Sequence, residues 1–125
     1  MEDFPFPNLP FQKREKKPRN KGINYVRAPV IVGQCINDYL SAYGSLVDIF
    51  KLSGKQAAMM SRSSLVDFIS TCKKHDVLVA VGNPVMDVAL SGGAKVVDSY
   101  FDSVTKYGID IIEISSIARS IDDDD

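Results

Sequence analysis

The chain has 125 residues, a hydrophobic fraction of 45% and a formal net charge of −1 at pH 7. This length predicts a single domain, and the near-neutral balance provides no overall basic field to attract nucleic acid. No apolar run reaches the roughly 20 residues of a membrane-spanning helix, and no apolar stretch follows a basic start as in a secretory signal.

Residues 1–22 differ in composition from the rest of the chain. Four prolines interrupt regular structure there, and residues 13–21 carry six positive charges against one negative. Such a run is typical of a nuclear-import or nucleic-acid segment, or of a solvated extension that leads into the fold, and we favour the extension. Phe4, Phe6 and Phe11 are candidates to cover the open bottom of a barrel.

From residue 23 onward, apolar strand-like runs alternate with amphipathic helical patterns. The predicted strands are residues 23–28, 46–52, 77–81 and 109–115, and the predicted helices lie between them. Gly44 is placed to end the first helix in the left-handed conformation, and Ser61, Ser63 and Ser64 are candidate N-caps of the second. The segment 82–84 is predicted to break strand three. A short helix over 85–90 and a longer one that ends at Gly108 follow.

Cys35 and Cys72 fall on predicted core faces of helices. This placement favours two reduced thiols over a disulfide, and it predicts a reducing, cytoplasmic environment.

The strand–helix alternation predicts parallel strands joined by crossover helices. Eight such units close a (β/α)₈ TIM barrel of about 250 residues, and this chain holds about four. The predicted fold class is therefore α/β, a half TIM barrel over residues 23–117. It lies between an N-terminal extension (1–22) and an acidic tail (118–125).

Strand parity identifies the candidate site, because successive side chains of a strand point to opposite faces. On strand two, Ile49 and Lys51 share a face. On strand four, Ile111, Glu113 and Ser115 share a face. An ionisable side chain in an apolar strand needs a partner or a function, and alternate strands fill the same layer of a barrel. We therefore expect Lys51 and Glu113 to meet inside the barrel near the carboxyl strand ends, as a structural or a functional pair.

Several short motifs stand in a distinctive order along residues 17–122. They are Lys17-Pro18-Arg19, Val47-Asp48 with Lys51, and Ile112-Glu113-Ile114-Ser115. This arrangement resembles the phosphosulfolactate synthase family. Three further motifs look like its eukaryotic branch, which includes plant heat-stress-associated proteins. They are Arg27-Ala28-Pro29, Lys74-His75-Asp76-Val77 and Glu113-Ile114-Ser115-Ser116.

The resemblance implies a TIM barrel and, for the archaeal enzymes, a lyase reaction in which sulfite adds to phosphoenolpyruvate with Mg²⁺ present. It implies that Lys51 and Glu113 are catalytic, that Glu113 binds the Mg²⁺, and that Arg19 and Ser115 bind a small phosphorylated or carboxylate substrate. An enolate-like intermediate requires cationic stabilisation of this kind.

The chain departs from the family pattern at several positions. Asn24 and Ala28 stand where archaeal members carry a threonine and an aspartate, and Gly54 and Gly82 lack the second glycine of an expected pair. A truncated half barrel is expected to be inactive alone. The alternatives are a non-catalytic interaction protein of the heat-stress type, or a truncated product. Open strand edges predict a homo-oligomer, and no nucleic-acid or membrane partner is expected.

Overall fold

A computed structural model describes residues 5–28 and 33–117, and it shows one parallel sheet with helices packed on it. The strands are β1 (Tyr25–Arg27), β2 (Ile49–Gly54), β3 (Leu78–Pro84) and β4 (Ile111–Ile112). They pair in the order β1-β2-β3-β4, and each pairing is parallel. The predicted α/β class is confirmed, because consecutive parallel strands joined by helices are the repeating unit of a (β/α) barrel.

The helices are α1 (Gly33–Tyr43), α2 (Gln56–Met59), α3 (Arg62–Lys74), α4 (Val85–Ser91) and α5 (Ala94–Tyr107). Two predicted helix signals are confirmed. The Ser61 hydroxyl caps α3 by accepting a hydrogen bond from the Ser64 amide. Gly108 ends α5 with φ of 75°, a left-handed conformation in which glycine has no Cβ to clash. Within the described ranges, no helix is long and apolar enough to cross a membrane.

Two backbone predictions are wrong. Gly44 does not terminate α1 in the left-handed conformation; it opens a 3₁₀ turn, Gly44–Leu46, that carries the chain into β2. The segment 82–84 does not break β3, because Pro84 still pairs with Gly54 of β2 across a register shift. The second error arises because pairing with the neighbouring strand, rather than local turn propensity, determines the backbone conformation at the end of β3.

Two further predictions concern burial and strand length. Cys72 is buried as expected, but Cys35 is exposed, because the buried stripe of α1 passes through Ile36 and Leu40 instead. Strand β4 contains two residues rather than seven, and in the described part of the chain it pairs with β3 alone.

The hydrophobic core lies between one face of the sheet and the helices. Phe50 and Leu52 of β2 and Val79 and Val81 of β3 point toward it, and each is at most 2% exposed. Their helix-borne partners include Ile36, Leu40, Phe68, Cys72 and Val104. This side of the sheet follows the period-two pattern of a half-buried strand, so the alternate residues point to the opposite face.

The basic N-terminal segment is exposed at most of its described positions, but Arg14, Lys17 and Arg19 attach it to the amino ends of the strands. Asp48, 7% exposed, precedes β2 and accepts a hydrogen bond from the Asn24 amide at 2.8 Å. The Arg19 guanidinium pairs with the same carboxylate at 2.7 Å, and Arg14 approaches it at 3.4 Å. A buried carboxylate is stable only with such partners.

Lys17 strengthens this attachment. Its ammonium donates to the carbonyls of Gly44 at 2.9 Å and His75 at 2.8 Å. Burial lowers the pKa of Lys17, and the nearby Asp48 opposes that shift. The positive charges at 14, 17 and 19 therefore bind groups of the same chain.

The N-terminal phenylalanines do not cover the core as predicted. Phe6 is 66% exposed and Phe11 is 74% exposed, and Phe4 lies outside the described residues. The acidic tail, 118–125, lies outside them as well.

We expect Asp48→Ala to lower the free energy of unfolding by about 3 kcal/mol or more, because it leaves the buried Arg19 guanidinium unpaired. Urea denaturation measures the loss, and trypsin cleavage within residues 14–21 should become faster. Asp67→Ala, at an exposed position of α3, removes the same charge and should change stability by less than about 0.5 kcal/mol. Equal losses in the two variants would contradict the anchoring role of Asp48.

Candidate functional site

The face of the sheet opposite the helices is here named the open face. Its residues are Tyr25, Arg27, Ile49, Lys51, Leu78, Ala80, Gly82, Ile111 and Glu113. In a closed (β/α) barrel this side becomes the interior. It carries both apolar and charged side chains, and Tyr25 and Leu78 are 43% and 47% exposed.

Lys51 and Glu113 meet on the open face, as strand parity predicts. The Lys51 ammonium donates a hydrogen bond to Oε2 of Glu113 and forms an ion pair with it. The two side chains are 25% and 31% exposed, so solvent reaches both. Glu113 directly follows β4, whereas Lys51 is the third residue of β2. The pair therefore bridges over β3.

Tyr25 completes this cluster, and sequence reasoning missed it. Its hydroxyl donates to Oε1 of Glu113 at 2.5 Å. Tyr25 stands in register with Ile49 on β2, so parity alone places it on the same face as Lys51. The missing information was the curvature of the sheet, which brings edge strand β1 within reach of the residue after β4.

The electrostatics of the cluster keep Glu113 ionised. Partial burial disfavours the charged carboxylate, but hydrogen bonds from Lys51 and Tyr25 and the Lys51 charge outweigh it. Together they hold the pKa of Glu113 below its ordinary value. Burial and the bond to Glu113 raise the pKa of Tyr25, so its hydroxyl stays protonated and remains a donor.

Small residues on β3 make room for the bridge. Ala80 stands between Lys51 and Ile111 in the register, and Gly82 lies beneath the Glu113 side chain. A Cβ at Gly82 would lie 2.7 Å from Oε2 of Glu113 and 2.9 Å from its Cβ. Gly82 is thus a second site residue that sequence reasoning missed, because the glycine was interpreted as a strand breaker.

Ser115 lies two residues beyond Glu113 and is exposed. Its hydroxyl accepts a hydrogen bond from the Asn83 side-chain amide at 2.8 Å. The other amide atom, Asn83 Oδ1, is buried without a hydrogen-bond partner among the described residues. Ser115 therefore sits at the same strand end as the pair but contacts the residue after Gly82. Its predicted role in substrate binding stays a prediction.

Arg19 does not lie beside the pair, so that expectation is wrong. Its guanidinium is bound to Asp48, to the Ser45 carbonyl and, through Nε, to the Glu15 carbonyl. These groups precede β2, at the amino end of the sheet. The donors expected to bind a substrate carboxylate or phosphate instead bind protein oxygens.

Magnesium does not fit the arrangement around Glu113. Each carboxylate oxygen accepts a hydrogen bond from a protein donor, and one of these donors is an ammonium that would repel a divalent cation. The described residues contain no group of three or more histidine, cysteine, aspartate or glutamate side chains that could hold a metal. The role of Glu113 as a metal ligand stays a prediction, and no step below is derived through the ion.

Parallel βα units with a charged cluster on the concave face define a partial (β/α)-barrel protein. The family model for (2R)-phospho-3-sulfolactate synthase (ComA) matches residues 12–125 of this chain. The chain therefore belongs to the phosphosulfolactate synthase family, and its sheet is part of a TIM barrel. A search of curated proteins finds no match. The family predicted from short motifs is confirmed, and the eukaryotic branch stays a prediction.

We expect Lys51→Met to raise the pKa of Glu113, since it removes a hydrogen bond and a neighbouring positive charge. Carboxyl ¹³C NMR titration measures the shift, and Lys55→Met, at an exposed position, should leave it unchanged. Because the folded pKa of Glu113 is lowered, its stabilising contribution is present above the unfolded pKa and lost as pH falls through the folded pKa. Lys51→Met should flatten that acid dependence. An unchanged Glu113 titration would contradict the ion pair.

We expect Gly82→Ala to displace Glu113, because no low-energy position exists for both the added methyl group and the carboxylate. The pKa of Glu113 should rise toward its ordinary value, and stability should fall by about 1–3 kcal/mol. Gly44→Ala is the control, since the nearest atom to its Cβ would be His75 Nδ1, at 3.5 Å. A Glu113 titration that is unaltered in Gly82→Ala would show that the close approach is not needed.

Proposed function

We propose that the open face carries part of a phosphosulfolactate synthase-type site, with Lys51 as the cation that faces the substrate and Glu113 as its partner. The observation that supports this most directly is the solvent-accessible Lys51–Glu113 pair on the concave side of the sheet. A structural ion pair could form as well on the outer surface, where it would require no glycine beneath it. The family match supplies the class of reaction.

The reaction explains why a lysine is suited to this position. When sulfite adds to phosphoenolpyruvate, its sulfur forms a bond to the methylene carbon and the double-bond electrons move toward the carboxylate. A proton taken up at the phosphate-bearing carbon then gives phosphosulfolactate. A fixed cation beside the substrate carboxylate stabilises the charge that develops there. Lys51 supplies this charge, while Glu113, which also accepts a hydrogen bond from Tyr25, holds its ammonium in place.

We further propose that the 125-residue chain does not catalyse this reaction by itself. In (β/α) barrels, phosphate groups are commonly bound by the loops after strands seven and eight. The described sheet contains four strands, and the basic side chain predicted to bind substrate, Arg19, is bound to Asp48. The described part of the site thus contains Lys51, a candidate to bind the substrate carboxylate, but no candidate group to bind the phosphate.

A non-catalytic interaction role is the second candidate, and one observation favours it. Tyr25 and Leu78 expose apolar surface on the open face, and exposed apolar patches often mark protein contacts. Such a role would not require Lys51 to bind a small anion.

The test combines binding with turnover. We expect phosphoenolpyruvate to shift the NMR resonances of Lys51 and Glu113 in the purified chain, Lys51→Met to abolish the shifts, and Lys55→Met to retain them. We expect no detectable condensation with sulfite, with or without magnesium. Lack of binding would remove the site assignment and favour the interaction role. Turnover that Lys51→Ala abolishes would instead show that the chain is an enzyme.

A further inference from the structure

Arg27 is a third charged residue of the open face, besides the ion pair described above. Val26 packs against the core and Ala28 is buried in it, so Tyr25 and Arg27 point to the opposite side of β1. The contact of Tyr25 with Glu113 confirms that direction. Arg27 therefore lies on the open face, at the carboxyl end of β1.

Lys51 is the immediate neighbour of Arg27 on this face. The two residues are partners in the parallel register of β1 and β2, so their Cα atoms lie about 4.8 Å apart. The Lys51 ammonium extends over β3 to Glu113. Arg27, in contrast, is exposed and forms no ion pair with any residue that the structure describes.

The charges of the open face do not balance. Arg27 and Lys51 supply two positive charges, and the one negative charge, on Glu113, is already paired with Lys51. The uncompensated charge is therefore that of the arginine. A guanidinium binds an oxyanion through two parallel hydrogen bonds, so this position suits a small anion beside the one proposed to bind Lys51.

The proposed reaction has two anionic reactants, which must be held side by side. The sulfur of sulfite must approach the methylene carbon of phosphoenolpyruvate to about 3–3.5 Å before the new bond forms. That carbon is two bonds away from the carboxylate carbon. A cation that holds sulfite must therefore be adjacent to the cation that holds the carboxylate, and neighbouring strands provide this spacing.

We propose that Arg27 binds the sulfite, a role that rests on the proposed function of Lys51. Two guanidinium N–H groups donate to two sulfite oxygens, so the lone pair of the sulfur stays free to attack the methylene carbon. The charge of Arg27 also offsets the repulsion between the two anions. Phosphate is the less suitable ligand, because protein sites hold phosphate with several converging donors.

NMR titration of the purified chain with sodium sulfite, without phosphoenolpyruvate, tests this assignment. We expect sulfite to shift the Arg27 Nε resonance, and sodium chloride at the same ionic strength to leave it in place. Arg27→Met should weaken sulfite binding about tenfold or more, because charge-assisted hydrogen bonds are lost. Arg62→Met, at an exposed position of α3, should retain it.

The conservative variant separates geometry from charge. Arg27→Lys keeps the positive charge but lacks the two parallel donors of the guanidinium, so it should restore only part of the lost affinity. Circular dichroism checks that each variant folds. Full affinity in Arg27→Met would show that Arg27 only shields an edge strand, and it would overturn the proposal.

Titration with phosphoenolpyruvate distinguishes failure of this assignment from failure of the proposed function. If phosphoenolpyruvate shifts Lys51 but sulfite does not shift Arg27, the role of Arg27 is overturned and that of Lys51 stands. If sulfite shifts Arg27 but phosphoenolpyruvate does not shift Lys51, the proposed function fails and the anion site at Arg27 stands.

The wild-type chain supplies a final criterion that requires no variant. Saturating phosphoenolpyruvate should leave sulfite bound at Arg27, because the two anions are assigned to different cations. Competitive displacement of sulfite by phosphoenolpyruvate would show that both anions use one position, and it would overturn the proposal.

Discussion

In the part of the chain that the structure describes, helices pack on one side of the four-stranded sheet and leave the other side open, and this asymmetry determines where the core and the candidate site lie. Period-two alternation sends Phe50, Leu52, Val79 and Val81 to the helix side, where they form a dry core. The same alternation sends Lys51, Ala80 and Glu113 to the other side. The residues that form the core and the residues of the candidate site thus lie on opposite faces of the same strands. A substitution on one face need not disturb the other.

The arrangement of the open face depends on the small side chains of its central strand, β3. A charged bridge between β2 and the end of β4 must pass over β3, and a large side chain there would block it. Ala80 and Gly82 provide the needed space, and Gly82 does so at a contact distance that no other residue would tolerate without a shift. The small side chains of β3 therefore matter to the position of the ion pair as much as the attraction between Lys51 and Glu113. Glycine is expected where another group approaches the backbone this closely.

The parts of the fold that sequence predicted are those that depend on local periodicity. Four parallel strands, the Ser61 cap, the Gly108 helix end and the Lys51–Glu113 encounter all follow from spacing along one or two elements. Tyr25 was missed because its contact with Glu113 joins residues 88 apart, and sheet curvature rather than parity creates it. The predicted end of β3 was wrong for a similar reason, since pairing with β2 extends the strand to Pro84.

The basic N-terminal segment shows why a charge run is a poor guide to function by itself. Read as a sequence, residues 13–21 have Glu15 as their one counter-charge, which favours a solvated or ligand-binding interpretation. In the fold, one buried carboxylate, Asp48, pairs with Arg14 and Arg19 and also accepts the Asn24 amide.

This cluster therefore fixes the path of the chain into β1 at the amino ends of the strands. Burying Asp48 without such partners would cost more than the sheet could offset. The acidic residue thus explains why arginines stand at positions 14 and 19. The other charged cluster, at Glu113, keeps solvent access at the opposite end of the sheet. It is this difference in burial, rather than charge itself, that separates an anchoring pair from one available to a ligand.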